Sequence, residues 1–596
     1  MTEAPPHGVS VTEARCLPAL LAQREHDPGI AHRVKRLGLW QRIPWSAYAR
    51  SVWALARQLI ALGVEPGDRV AILSENRPEW LVADLAIQSA GGISVGIYTT
   101  NSAAGVRYVL AHSGAVGVIL ENAEQLEKWR EVRASLPALR FAIALEPEGA
   151  TDALAWDALM REAEALYARD PEPVAARVRA LTPHDTALLM YTSGTTGNPK
   201  GVQLSHGNLL WSSASLTQAL GYTARDEALS YLPLSHIVER NGAYAQLRAG
   251  FVISFVESLE TFAQNLQEVR PTVLFAVPRV WEKLHARVEL HMRENHTLKR
   301  ALYSWALRAA HGPRRGAQRT LADLTVIHWL RLRLGLDRVR VAISGAAPIS
   351  PSILLYFRAL GLDLREGYGM TENSGLATIH QGEFRMGTVG TPFPGVEVRV
   401  AEDGEILTRS PGTFQGYWND PEATAEAMAG DWLRTGDVGE LDDAGHLRIT
   451  DRKKDILITA GGKNIAPQKL ENLLKASPFI GDAVVIGDGR KYLVALLVLD
   501  EDNVGRWATD KGVSYTTYTD LTRHPEVVKL IEGEVAAVNK GLARVETLKR
   551  FAILPKRLHF EDGEVTATMK VKRRAIAERY RDLIESLYED AVGGRA

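Results

Sequence analysis

Two spacings of hydrophobic residues alternate along the first part of the chain. Residues at intervals of three and four indicate amphipathic helices, and short unbroken apolar runs indicate buried strands. The predicted elements are a helix over 46–60, a strand over 70–73, a helix over 80–89, a strand over 93–97, a helix over 103–112 and a strand over 116–120. This alternation is typical of a parallel sheet flanked by helices, so we expect an α/β fold. Residues 1–40, which contain Pro5, Pro6 and Gly8, look like a loose lead-in.

The sequence YTSGTTGNPKG, from Tyr191 to Gly201, follows an apolar run and predicts a strand that ends in a polar loop. Glycines that adopt positive φ can turn several N–H groups towards one anion, and hydroxyls and a lysine add donors and charge. The candidate phosphate-binding residues of this loop are Thr192, Ser193, Gly194, Thr195, Thr196, Gly197 and Lys200. The usual P-loop is disfavoured because no hydroxyl residue follows the lysine. A solvent-exposed polar turn remains the alternative.

A second glycine-containing turn, SGAAPIS, follows the predicted strand 339–343. Gly345 and Ala346 would let a flat ligand approach the backbone, although the same pattern serves plain packing between a strand and a helix. Ser350 followed by Pro351 predicts the N-cap and the first position of a helix.

The sequence GYGMTE is the second strong signal for a ligand site. Gly367 and Gly369 around Tyr368 permit a tight turn beside a planar base. Thr371 supplies a hydroxyl, and Glu372 supplies the hard oxygen ligand that Mg²⁺ prefers. Further along, WLRTGD ends in Asp437, whose carboxylate could accept two hydrogen bonds from the vicinal diol of a ribose.

These motifs together resemble those of the adenylate-forming acyl-CoA synthetases. The segment PTVLFAVPRVWEKL, 271–284, is similar to that of the long-chain fatty acid:CoA ligases in particular. The resemblance implies a large N-terminal domain, residues 1–453, made of two stacked α/β subdomains and a small β-barrel-like subdomain. A hinge would join it to a small mobile α+β C-terminal domain, residues 454–596, and the composition of the segment after residue 454 agrees with a small α+β unit.

The resemblance also implies roles for individual residues. Tyr368 would contact adenine, Thr371 the α-phosphate, and Glu372 magnesium. Asp437 and Arg452, the latter in the DRKKDILITAGGKNIAP segment, would hold the ribose. The remaining roles are a hinge at Lys454, a face for coenzyme A at Gly461 and Gly462, and catalysis by Lys570 in EDGEVTATMKVKRR together with Thr371 and Glu372.

His236, at the centre of LPLSHIVERNGAY, would border the acyl pocket by the same resemblance. A lone histidine is often a structural hydrogen-bonding residue, and that alternative stays open.

Composition narrows the class of protein. The 596 residues are 46% hydrophobic and 24% charged with a net charge of −1, which is ordinary for a globular protein and argues against a general nucleic-acid binder. Cys16 is the only cysteine, so no intrachain disulfide can form, and a reducing cytoplasm is expected. The N-terminus lacks the pattern of a signal peptide, and no apolar run reaches the roughly 20 residues of a membrane span.

A basic segment, 299–340, carries ten Lys or Arg against Asp323 and Asp337. A solvated helical face is one interpretation. The other is peripheral contact of Arg314 and Arg315 with an anionic surface on the inner face of a membrane, or with the phosphates of coenzyme A.

We therefore expect ATP-dependent ligation of a long-chain fatty acid to coenzyme A through an acyl-adenylate, with Mg²⁺ as cofactor and release of AMP and pyrophosphate. Fatty acid, ATP and coenzyme A are the expected partners, and a homodimer is one open alternative for the oligomeric state. The alternatives for function are a ligase of the same fold acting on medium-chain, aryl or other carboxylates or on a carrier protein, a kinase or NTPase, and a non-catalytic nucleotide or acyl binder.

Overall fold

The computed structural model describes residues 14–589 except 147, 150, 193–197, 294–295, 311–315, 461–462, 560–561 and 566–570. The helices are Leu17–Arg24, Trp45–Ala61, Pro78–Ser89, Ala103–Ser113, Ala123–Val132, Trp156–Arg169, Glu172–Ala180, His206–Leu220, Ile237–Ala249, Phe262–Val269, Pro278–Arg293, Thr297–Ala310, Ala317–Ala322, His328–Leu334, Pro351–Ala359, Pro421–Ala427, Pro467–Lys475, Glu501–Asp510, Tyr518–Arg523, Pro525–Asn539, Arg573–Arg579 and Arg581–Glu589, with 3₁₀ turns at Arg133–Ser135 and Thr371–Asn373 and a π-helical turn at Asp323–Ile327.

An eight-stranded sheet, here called the loop sheet, carries the Tyr191 motif. Its strands lie in the order Gly416–Tyr417, Lys200–Ser205, Thr186–Thr192, Ile93–Ile97, Arg69–Leu73, Ala115–Leu120, Phe141–Ala144 and Leu154–Ala155. The strands of its centre are parallel, as the alternation of apolar runs and helices predicted.

A nine-stranded sheet, here called the pocket sheet, lies in the second α/β unit. Its strands lie in the order Thr391–Pro392, Thr378–Ile379, Leu364–Tyr368, Val341–Ser344, Val273–Ala276, Glu227–Ser230, Val252–Phe255, Ile30–Arg36 and Leu39–Pro44. One hydrophobic core contains residues of both sheets, among them Ile72 and Leu188 of the loop sheet and Ile253 and Phe255 of the pocket sheet. The two α/β units are therefore stacked, which confirms the predicted fold class.

Two smaller units complete the chain. Five antiparallel strands, Glu397–Val400, Glu405–Arg409, Met428–Ala429, Trp432–Leu441 and Leu447–Arg452, form the third sheet. After a two-stranded hairpin of Leu457–Ile458 and Asn464–Ile465, the strands Ile480–Ile486, Leu493–Leu499 and Leu548–Ile553 form a separate sheet. Helices Pro467–Lys475 and Pro525–Asn539 share a core with that sheet, which gives the C-terminal part its own α+β fold.

The expectation of a loose lead-in over residues 1–40 is wrong for its described part. Helix Leu17–Arg24 is buried on one face, and strand Ile30–Arg36 pairs in parallel with Val252–Phe255. The sequence signal is weak because His32 and charged residues interrupt the apolar pattern, and because the partner strand lies more than 200 residues away. Cys16 is buried, and burial raises the pKa of its thiol. Within the described ranges, no helix has both the length and the apolar character needed to span a bilayer.

Candidate functional site

The ends of the Tyr191 loop belong to a β-hairpin. Strand Thr186–Thr192 pairs with Lys200–Ser205, so that Thr192 lies opposite Lys200 and Tyr191 opposite Gly201. Ser193, Gly194, Thr195, Thr196 and Gly197 lie outside the described residues. Gly201, the last residue of the motif, does not adopt a positive φ. Its lack of a side chain instead makes room, because a Cβ there would lie 3.3 Å from both the Tyr191 ring and the Cβ of Trp418.

Lys200 is connected to Glu372 through Tyr417. The Lys200 Nζ lies 4.8 Å from the centroid of the Tyr417 ring, and the Tyr417 hydroxyl donates a 2.8 Å hydrogen bond to Glu372 Oε1. Strand Gly416–Tyr417 pairs with the loop sheet beside Lys200, which fixes the position of Tyr417. Tyr417 was not predicted from the sequence, since an aromatic residue in a two-residue strand carries no signal of its own.

Glu372 is a buried carboxyl group. It lies in the single 3₁₀ turn Thr371–Asn373 and is 7% exposed. Burial raises its pKa, and the Tyr417 hydroxyl and the positive charges of Arg452 and Lys200 act in the opposite direction. A carboxylate held in this way is a suitable ligand for a hard cation.

Asp437 forms the second polar centre. The Tyr368 hydroxyl donates a 2.6 Å hydrogen bond to Asp437 Oδ2, and Arg452 Nε lies 3.5 Å from Asp437 Oδ1. Asp437 and Arg452 lie opposite each other on neighbouring strands of the third sheet. Burial and the nearby carboxylate both raise the pKa of Tyr368. The structure thus brings together residues that are up to 84 positions apart in the sequence.

The two glycine-containing turns lie next to each other because they follow neighbouring parallel strands of the pocket sheet. Neither Gly367 nor Gly369 has a positive φ, so a left-handed backbone is not what requires glycine there. A Cβ on Gly369 would lie 2.2 Å from the carbonyl oxygen of Gly375, and one on Gly345 would lie 3.2 Å from that of Gly367. Close backbone approach is what requires glycine at these positions.

Ala346 adopts a left-handed conformation, with φ of 67°. Such backbone strain in a non-glycine residue is often found at ligand sites. Ser350 occupies the N-cap of helix Pro351–Ala359 as predicted, but its hydroxyl hydrogen-bonds that of Ser352, 2.9 Å away, and does not cap the helix.

A largely apolar cavity adjoins these turns. Including its opening, it encloses about 1030 Å³. Its lining includes Gly345, Ala346, Gly367, Tyr368 and Gly369, followed by apolar residues of the pocket sheet and its helices such as Leu216, Phe251, Ile253, Phe275, Ile343 and Phe393. An apolar cavity with a few polar groups at one wall is suited to a small molecule that has a hydrophobic part.

His236 is the N-cap of helix Ile237–Ala249, where its Nδ1 accepts a 3.3 Å hydrogen bond from the Val238 N–H group. The cavity lining contains Val238, Glu239, Asn241 and Gly242 of this helix, but not His236 itself. The direct role of His236 in the acyl pocket therefore stays a prediction. Glu239 was not predicted from the sequence, because Arg240 and Asn241 follow it directly and the three look like an ordinary polar stretch of a helix.

The predicted C-terminal site residues are only partly described. Lys454 is exposed just beyond the end of strand Leu447–Arg452, whereas Gly461, Gly462 and Lys570 lie outside the described residues. The Gln468 N–H group donates a 3.3 Å hydrogen bond to Asp451 Oδ2, which joins the third sheet to the C-terminal part. Burial raises the pKa of this Asp451 to about 6.

A hydrophobic cavity is thus bordered by a strained turn and a glycine-bearing turn, and its lining residue Tyr368 is hydrogen-bonded to buried Asp437, which suits a ligand with a polar and an apolar part. A family model described as AMP-binding enzyme matches residues 22–418, and one described as AMP-binding enzyme C-terminal domain matches residues 454–592. The chain belongs to the AMP-binding enzyme family, which confirms the resemblance drawn from the sequence.

Individual relatives agree with this assignment. Long-chain-fatty-acid–CoA ligase FadD15 of Mycobacterium tuberculosis is 35% identical over 601 residues, with 98% of each chain covered. Long-chain-fatty-acid–CoA ligase ACSBG2 of Homo sapiens is 32% identical, with 92% of this chain and 88% of that protein covered.

Among solved structures, anthranilate CoA ligase AuaEII in complex with anthranoyl-AMP has a TM-score of 0.74 at 19% identity, with coverage of 97% of this chain and 100% of that chain. The adenylation domain of a carboxylate reductase from Mycobacterium chelonae has a TM-score of 0.74 at 23% identity, with coverage of 98% of this chain and 92% of that chain. These two similarities establish the fold.

Proposed function

We propose that this protein joins a long-chain fatty acid to coenzyme A at the expense of ATP, through an acyl-adenylate, with release of AMP and pyrophosphate. The observation that carries the proposal is the chain of contacts from Lys200 through Tyr417 to Glu372, beside the Tyr368–Asp437–Arg452 group and the apolar cavity. Full-length similarity to proteins named long-chain-fatty-acid–CoA ligases supports it.

In this proposal the nucleotide lies across the two glycine-containing turns. Tyr368 borders the adenine, and the Asp437 carboxylate with Arg452 holds the ribose. Lys200 and the hydroxyls of the Tyr191 loop bind the β- and γ-phosphates.

Glu372, with the Thr371 hydroxyl beside it, fits a magnesium ion that accompanies ATP. Among the described residues no three His, Cys, Asp or Glu side chains cluster into a metal site. One buried carboxylate suits Mg²⁺, which usually takes its other ligands from phosphates and water. When bound, such an ion neutralises developing charge on the phosphates.

In the first half-reaction, a carboxylate oxygen of the fatty acid attacks the α-phosphorus, and the bond to the bridging oxygen of pyrophosphate breaks. The apolar cavity places the acyl chain, and Thr371 contacts the α-phosphate. Lys570 would stabilise the negative charge that the phosphoryl oxygens carry in the transition state.

In the second half-reaction, the thiol of coenzyme A attacks the carbonyl carbon. A carbon–sulfur bond forms, the bond to AMP breaks, and the thiol loses its proton. We propose that residues 454–596 rotate as a unit about Lys454 relative to residues 1–453, which removes Lys570 and brings the Gly461–Gly462 face to the site. The exposed position of Lys454 between the third sheet and the separate C-terminal core supports this division.

The test is a pyrophosphate-release assay with saturated acids of increasing chain length, with Lys570→Ala as the blank. We expect AMP and pyrophosphate only when an acid is present, with the highest kcat/KM for long chains. Lys570→Ala should abolish adenylation while transfer from supplied acyl-adenylate to coenzyme A survives. Release of ADP and phosphate, or a preference for aryl or medium-chain acids, would contradict the proposal.

We also propose that the protein, acting in the cytoplasm, touches an anionic membrane surface through two packed segments, Thr297–Ala310 and 317–334. Large apolar side chains are exposed there, namely Leu298, Leu302, Leu321, Leu324 and Trp329. Lys299, Arg300, Arg308 and Arg333 lie among them and are exposed as well. Apolar residues interspersed with basic ones suit the interface of an anionic bilayer, where each basic residue contributes about 1 kcal/mol.

Sedimentation with vesicles tests this surface. We expect the protein to bind phosphatidylcholine vesicles that contain phosphatidylglycerol. We expect weaker binding to vesicles of phosphatidylcholine alone. The double variant Leu298→Ser/Trp329→Ser should reduce vesicle binding. Leu39→Ser is the control, because Leu39 is 72% exposed and lies on the edge strand of the pocket sheet, outside these two segments. Equal binding by the two variants would exclude the surface. Arg314 and Arg315 lie outside the described residues.

A further inference from the structure

One acidic side chain in the wall of the acyl cavity has no part in the mechanism above. Glu239 lies in the first turn of helix Ile237–Ala249 and lines the cavity among mainly apolar residues. The side chain of Glu239 is half-buried, and its carboxyl group lies inside the protein. The exposed part of the residue therefore faces the cavity. A carboxyl group in such surroundings is costly unless it forms hydrogen bonds.

The other carboxyl group of the lining is held in a different way. Asp226 accepts hydrogen bonds from Arg340 Nε at 2.8 Å and Nη2 at 2.6 Å, and from the Thr272 hydroxyl at 2.7 Å. Glu239 belongs to no such ion pair among the described residues, and burial is the main influence on its pKa. Burial raises the pKa of Tyr222 and of Tyr231, and the Glu239 carboxylate lies near enough to the hydroxyl groups of both to raise the pKa of each further.

The groups that meet Glu239 are hydrogen-bond donors. The Ser230 hydroxyl and the backbone N–H groups of Tyr231 and Leu232 act on its carboxyl group. The Ser230 hydroxyl oxygen already accepts a 2.9 Å hydrogen bond from Asn76 Nδ2. The hydroxyl proton of Ser230 therefore points away from the Asn76 amide. These donors lower the pKa of Glu239, against the larger effect of burial.

Whether Glu239 itself donates a hydrogen bond depends on its protonation state. Burial raises the pKa of Glu239 to about 8, so the group is mostly protonated at neutral pH. A protonated carboxyl group has one O–H donor in addition to its acceptors. An acceptor for this proton could come from a ligand in the cavity.

We propose that Glu239 is a specificity-determining residue. It selects fatty acids whose acyl chain carries a hydroxyl group at the carbon that lies beside Glu239. The inference rests on the proposed ligase function. The hydroxyl oxygen accepts the proton of Glu239, and an unsubstituted methylene at the same place leaves that donor unpaired. A site built to hydrogen-bond a substrate group discriminates against a substrate that lacks it.

The experiment compares kcat/KM for hexadecanoic acid with kcat/KM for its monohydroxy derivatives, with the hydroxyl moved along the chain. For the wild type, we expect one positional isomer to be preferred about tenfold, the ratio that a hydrogen bond of about 1.4 kcal/mol gives. Glu239→Gln, which still donates a hydrogen bond, should keep the preference. Glu239→Leu should remove it and improve the use of hexadecanoic acid.

Tyr222→Phe is the matched control, because Tyr222 also lines the cavity and carries a hydroxyl group. Loss of the preference in Tyr222→Phe but not in Glu239→Leu would overturn the assignment. So would a wild type that prefers no hydroxylated isomer, a result that does not depend on any variant folding. If no acid at all releases pyrophosphate from the wild type, the proposed function itself fails, which is a distinguishable result.

Discussion

The hydroxyl group of Tyr417 should control the affinity of the site for magnesium. Tyr417→Phe keeps the ring, and with it the contact to Lys200 at 4.8 Å, and removes only the 2.8 Å hydrogen bond to Glu372. Glu372 binds the ion as a carboxylate in our proposal. Burial already raises its pKa, and the Tyr417 hydroxyl counteracts part of that rise. The substitution should therefore raise the pKa of Glu372 further.

The magnitude follows from the hydrogen bond that is lost. A hydrogen bond to a charged group contributes about 1.5–3 kcal/mol, and 1.4 kcal/mol corresponds to a factor of ten. At pH values at which Glu372 is mostly protonated, the half-saturating concentration of Mg²⁺ should thus rise by up to about 10- to 150-fold, and at higher pH the rise should be smaller. The acidic limb of the pH–rate profile should move to higher pH, since more of Glu372 is protonated at a given pH.

The assay is pyrophosphate release at saturating ATP and fatty acid, titrated with Mg²⁺ at several pH values. Tyr368→Phe is the matched control, because it removes the 2.6 Å hydrogen bond to Asp437 and should raise the KM for ATP without moving the Mg²⁺ dependence. If Tyr417→Phe leaves both the Mg²⁺ titration and the acidic limb unchanged, Glu372 is not the ion's ligand and the reasoning is refuted.

Four other predictions concern the cavity and its supports. Gly369→Ala should raise the KM for ATP at least tenfold, because the new Cβ would lie 2.2 Å from a backbone carbonyl oxygen. Gly242→Ala is the control, because its new Cβ would lie in open space, and its KM should not change. Equal KM values for the two variants would contradict this prediction. Arg240→Met should lower the free energy of unfolding in urea by about 3–5 kcal/mol, because Asp84, 3.0 Å away and fully buried, loses its counter-charge; a loss below about 1 kcal/mol would count against it. Hexadecanoic acid should be used less well as the pH rises from 7 to 9, because Glu239, with a pKa of about 8, becomes charged in the apolar cavity, and Glu239→Gln should lack that fall. The pKa of Glu239 is higher in the folded chain than in the unfolded chain, so this group should also make the free energy of unfolding decrease as the pH rises from about 4.3 to 8. Urea unfolding of the wild type and of Glu239→Gln at several pH values would measure the difference.

Local patterns in the sequence were enough to predict the α/β class and most elements of the loop sheet. Strand Ile93–Ile97 was predicted to the residue, and helix Trp45–Ala61 within one residue at each end. Such elements bury apolar residues at a regular period, which a single segment records by itself. The family resemblance rested on short motifs in the same way, and the family match confirms it.

Only the tertiary structure decided why several of these residues are needed. Gly345 is glycine because the backbone of Gly367, on the neighbouring strand, approaches it, and not because of its own φ. Strand Ile30–Arg36 forms because Val252–Phe255 offers a free edge. Tyr417 and Glu239 acquire their importance from contacts across the chain, with Glu372 and with the cavity. Long-range packing, burial and the resulting pKa shifts depend on which segments meet, and that information is not contained in any one stretch of sequence.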